Sequence, residues 1–153
     1  MRVIPTEEYF SIVKESLATT GKAHVRVTGV SMQPTLRHLR DSVMIVPPDK
    51  VRFGDIVLFD RRNGHYALHR VIGKGKRGFT MAGDNQRHME RKLPYDQIVG
   101  VVSVMIKGEK HIAASEFSQK VYAWSVAVYL RFRIYVCKIK NVVVGAFRKL
   151  KGR

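Results

Sequence analysis

Between His24 and Ile112 the chain is cut into short apolar segments by glycine, proline and aspartate, and no helical spacing of apolar residues interrupts them. The segments read HVRVTGV, SVMIVP, DIVLFD, YALHRVI, GFTMAG and IVGVVSVMIKG. The segments recur regularly with no helical pattern between them, which argues against a parallel α/β sheet. The expected fold is therefore mainly β: a compact, coiled antiparallel sheet or barrel-like core over residues 24–112. Pro5 and Thr6 followed by Glu7 and Glu8 mark a helix start, and Tyr9, Phe10, Val13 and Leu17 recur at helical spacing until Thr20-Gly21. A short N-terminal helix over 5–20 thus precedes the β core, and residues 1–112 form one unit.

After Ala113 the pattern changes. Residues 117–153 contain nine lysines and arginines and no acidic residue, in a chain whose net charge is +16. Aromatic and β-branched residues inside that basic border suit an amphipathic helix over 113–153. Two readings fit it: a helix lying in a membrane interface through residues 117–150, cations toward lipid phosphates, or a helix docked on its own domain with a solvated basic face. The longest uncharged apolar run, Val121 to Leu130, is half of the ~20 residues a membrane span requires. Pro5, Glu7 and Glu8 interrupt what would be the apolar run of a secretory signal, so no cleavable signal is expected. The placement expected is cytoplasmic or peripheral to a membrane. Cys137 is the only cysteine, which excludes an internal disulfide framework and a multi-thiolate metal site.

The stretch with chemical content is Gly29-Val30-Ser31-Met32-Gln33-Pro34-Thr35-Leu36. A nucleophilic serine needs an exposed hydroxyl at a tight turn and a backbone amide placed for the oxyanion. Glycine before and proline after can shape such a turn, although serine in that setting is ordinarily a turn former. His69, ending the alternating run from Tyr66, is by itself an ordinary half-buried strand residue, and it lies 38 positions from Ser31.

Six boxes in order change the weight of these residues: Ser31-Met32-Gln33-Pro34, Arg40-Asp41-Ser42-Val43, Gly54-Asp55-Ile56-Val57, His69-Arg70-Val71-Ile72, Gly83-Asp84-Asn85 and Ile98-Val99-Gly100-Val101. Their series resembles the signal peptidase superfamily shared with the LexA-type self-cleaving repressors. Bacterial signal peptidases and the repressors carry a lysine where this chain has His69, and the archaeal and endoplasmic-reticulum branch carries histidine. The resemblance to that histidine branch implies a serine endopeptidase that removes a leader or signal segment from a precursor, with Ser31 as nucleophile and His69 as general base. An imidazole, with its ordinary pKa near 6.5, is mostly neutral at pH 7 and suits that role.

The same resemblance implies Asp84 as the carboxylate assisting His69, with capping of the Gly-Asp-Asn turn as its structural alternative. The branch's second acidic position is not clearly filled here, and Glu90 is its nearest substitute. By the same analogy Met32 and Pro34 border the substrate cleft, although a methionine beside a turn is as often core. Asp41 and Asp55 read as caps of strand entries. No metal-ligand spacing and no phosphate-binding glycine loop is present, so the chemistry implied needs no cofactor and no metal. Self-cleaving repression is not expected, because the only Ala-Gly pair, Ala82-Gly83, lies downstream of Ser31. The competing reading is a noncatalytic basic module that binds anionic membrane or nucleic acid, for which charge is the whole argument; no specific nucleic acid is expected.

Overall fold

The computed structural model describes residues 6–114 and 117–151. Helix α1 (Thr6–Thr20) has Glu7 and Glu8 in its first turn, where carboxylates favour the helix dipole. It buries Val13 and Leu17 and stacks Phe10 on Tyr66 at 3.9 Å between ring centres. Eight strands follow: β1 (Ala23–Arg26), β2 (Asp41–Val46), β3 (Ile56–Asp60), β4 (Tyr66–Gly75), β5 (Gly78–Ala82), β6 (Glu90–Leu93), β7 (Ile98–Lys107) and β8 (Lys110–Ala113), before the long helix α2 (Phe117–Lys151).

Every pairing is antiparallel, as expected from the sequence. The sheet runs β1-β2-β7-β3-β4-β5-β6, with β8 beside the end of β7. It is coiled by bulges in four of these pairings but does not close, so the barrel-like expectation reduces to an open sheet. Strands β6 and β8 were absent from the segments read in the sequence. β6 is the run Glu-Arg-Lys-Leu, whose charges hide any alternation, and β8 is only four residues long.

Period-two alternation divides the core between the two faces of the sheet. Leu58 joins Val25, Met32, Leu36, Val43, Ile45 and Met105 beneath α1. Its neighbours Val57 and Phe59 join Val71, Phe79, Met81 and Ile98 on the other side. A third, smaller cluster seats α2: Ala127 and Leu130 pack on Ile72 and Ala82. Arg131 and Arg133 donate to the carbonyls of Ile72 and Gln86 and tie the helix to β4 and to the turn after β5.

Candidate active site

Ser31 sits in the irregular connection between β1 and β2. Gly29 at φ +90° turns the chain ahead of it, in a region L side chains rarely enter, and the Gly29 amide donates to His38 Nδ1 at 2.8 Å. A short turn follows in which Leu36 N donates to Met32 O at 2.9 Å, leaving Ser31 half-buried. The Ser31 hydroxyl makes no hydrogen bond among the described residues.

The Gly83-Asp84-Asn85 turn holds that segment from behind. A Cβ on Gly83 would lie 2.6 Å from the Ser31 carbonyl oxygen and 3.0 Å from its Cβ, so only glycine admits this approach. Asn85 N donates to Ser31 O at 2.8 Å, and Asn85 Nδ2 reaches Val30 O at 3.3 Å. Asp84 accepts the Thr35 hydroxyl, within the serine box itself. Two boxes more than 50 positions apart thus form one unit around the serine.

β4 supplies the histidine. Consecutive strand residues point to opposite faces, and His69 and Arg70 use this to serve different partners. His69 pairs with Val57 across β3, contacts the Phe59 ring at 5.4 Å, and lines a pocket of about 210 Å³ with Ser31, Gly29, Met32, Arg61 and Gln86. Arg70 on the opposite face donates Nε and Nη2 to the two oxygens of Asp84 at 2.9 and 2.7 Å, and Nη1 to Gly54 O at 2.9 Å.

Asp84 therefore has both oxygens committed to Arg70 and Thr35, and the carboxylate against the imidazole is Glu90. Its Oε1 lies 3.3 Å from His69 Nδ1. That distance is within ion-pair range, yet the geometry makes no aligned hydrogen bond, and Nδ1 is otherwise without a partner. The same Glu90 oxygen accepts from Arg61. Glu90 thus acts on the ring through charge. His69 is 1% exposed, and burial pushes its pKa down to about 4 against the opposing pull of Glu90; the Arg61 cation adds to the depression. The imidazole is consequently neutral throughout the neutral range.

Of the other residues singled out in the sequence, Met32 both lines this pocket and is buried in the core beneath α1. Pro34 is exposed, follows a cis peptide bond, and is not among the pocket's lining residues. Asp41 accepts from Arg37 N at 2.9 Å and Asp55 from Arg52 N at 2.7 Å, each closing a turn ahead of its strand. A larger cavity of about 860 Å³, between the ends of β3 and β7 and Trp124 of α2, contains neither Ser31 nor His69.

Sequence reasoning saw Glu90 but ranked it behind Asp84. What places it is register: Glu90 on β6 stands opposite Met81 on β5, which stands opposite Val71 on β4, two residues from His69 and on its face. The pairing of β6 was not visible in so charged a segment.

A comparison with curated proteins returns no match. The family model described as Peptidase S24-like matches residues 2–106, which takes in α1, the serine box, His69, Asp84 and Glu90 and stops before α2. With two thirds of its length inside that match and a serine-peptidase type of fold around Ser31 and His69, the chain belongs to the Peptidase S24-like family, in the LexA and signal peptidase superfamily.

Proposed function

We propose that the protein is a serine endopeptidase that cleaves a leader or signal segment from a precursor protein or peptide, with Ser31 as nucleophile and His69 as general base. The observation that carries this reading is the shared pocket: Ser31 and a neutral, buried His69 line one small cavity backed by a carboxylate. His69 takes the Ser31 proton as the hydroxyl attacks the scissile carbonyl and returns it to the leaving amine. The Ser31 backbone amide, uncommitted to any other described residue, is available as a donor for the oxyanion. Glu90 stabilises the imidazolium as it forms and is a positioning residue; Asp84 acts one step further back, fixing the serine box through Arg70 and Thr35.

The test compares protein N-termini across the proteome of the native host carrying either the wild type or Ser31→Ala. N-termini present only with the wild type, sharing small residues before the cut, support the reading and name the substrates. Identical sets, with both proteins folded and abundant, favour the noncatalytic basic module.

The pKa of His69 fixes the pH response. Only the neutral ring accepts a proton, so kcat/KM on a peptide identified in that comparison is expected to hold from neutral pH to about 5. It then falls through a limb near 4. A limb near 6.5, the ordinary histidine value, would mean a solvated imidazole in the working enzyme and a different site geometry.

A further inference from the structure

We infer that α2 is a membrane-docking helix that lies in the interface of an anionic bilayer with its outer face in the acyl boundary. Among the described residues no helix is long and apolar enough to cross a membrane, so the mode is lateral. The 35 residues of α2 extend about 50 Å, and the buried contacts given for the helix fall at Ala127 and Leu130, with Val126 beside them.

At about 100° per residue the face opposite that contact is built by Val128, Phe132, Tyr135, Ile139 and Val142, with Trp124 at its flank beside the larger cavity. These side chains recur at three- and four-residue spacing. They are exposed rather than packed: Phe132 65%, Tyr135 64% and Val142 71%. An outward face of aromatic and β-branched residues, continuous over about four turns, exceeds what isolated surface apolar residues account for.

Charge identifies the occupant. Residues 117–153 hold nine basic residues and no acidic one. A second copy would bring the same cations against its own, and nucleic acid would meet an apolar face at the centre of the contact. A bilayer of anionic lipids meets both features at once, taking the apolar face into the acyl boundary and the flanking cations to its phosphates. The inner face of α2 is bonded to the site as well: Arg133 donates to Gln86 O, and Thr35 lies 3.4 Å from the Tyr122 hydroxyl. Docking therefore holds the Ser31 pocket at a fixed orientation to the membrane surface. The inference does not depend on the peptidase reading.

Trp124 is the only tryptophan and, 62% exposed at the flank of this face, its emission reports a change of surroundings when the helix docks. Full-length protein, wild type and Ser31→Ala alike, is titrated with vesicles of equimolar phosphatidylcholine and phosphatidylglycerol and with phosphatidylcholine alone. The expected result is a blue shift and co-sedimentation with the anionic vesicles, weakened by salt, together with a roughly tenfold or greater loss of partitioning in Phe132→Glu/Val142→Glu. Those positions are exposed, and unchanged far-UV dichroism shows that the variant folds. The inference is overturned if the anionic vesicles produce no shift, or if the double variant binds them as the wild type does. It is equally overturned if the protein is a dimer without lipid that the variant dissociates, or if it binds an oligonucleotide but no vesicle.

Discussion

Ser31→Ala is expected to reduce cleavage of a substrate peptide by roughly 10⁶-fold, the loss typical when a serine nucleophile acting with its base is removed. It should leave the free energy of unfolding within about 0.5 kcal/mol of the wild type, because Ser31 is half-buried and its hydroxyl bonds to no described residue. His69→Ala should reduce cleavage comparably, but its side chain is buried against Phe59, and truncation there opens a cavity that costs about 2–4 kcal/mol. His69→Gln keeps most of the volume without a ring to accept the proton, and is the variant that separates chemistry from folding. Single-turnover cleavage alongside urea unfolding makes the check. Full activity in any folded variant of either residue would remove Ser31 and His69 from the mechanism.

The second large effect is on stability, at Asp84. Arg70 is 3% exposed and Asp84 5%, and the guanidinium meets the carboxylate through two parallel hydrogen bonds. Asp84→Asn keeps the shape but leaves a buried cation without its counter-charge, and breaking such a pair from one side costs about 3–5 kcal/mol. Glu90→Gln should behave in the opposite way. Its ion pair with Arg61 is partly exposed, so stability changes by no more than about 1 kcal/mol. Its loss from the His69 ring should lower kcat roughly 100-fold and move the acid limb of the pH profile further down, since Glu90 is the larger of the two carboxylate charges, with Asp84, that oppose the burial of His69. Urea titrations and pH profiles of the two variants separate these roles. An Asp84→Asn protein of native stability but without activity would return the assisting role to Asp84.

The order of boxes in the sequence was enough to nominate Ser31 and His69, and the short Gly/Pro-bounded segments were enough for an antiparallel β core, because both are written in local residue types and spacing. Helix α1 was legible for the same reason, expected over 5–20 and found over Thr6–Thr20. The division of labour among the acidic residues was not legible. Asp84 lies in a motif that suggests assistance to the histidine; in the structure its oxygens bond Arg70 and Thr35, and its charge acts on His69 behind that of Glu90.

Glu90 reaches the ring only because β6 pairs with β5 in one register. Pairing is a relation between distant segments that composition does not encode, least of all in a charged strand of four residues. Likewise the sequence supplied a basic, apolar C-terminal segment, but only packing decided which side of α2 is covered. Ala127 and Leu130 pack on Ile72 and Ala82, and that contact leaves the aromatic face outward. Residue types and their spacing thus determined the candidate chemistry, and tertiary structure decided the partners, because a side chain's neighbours are fixed by register and packing rather than by its position in the chain.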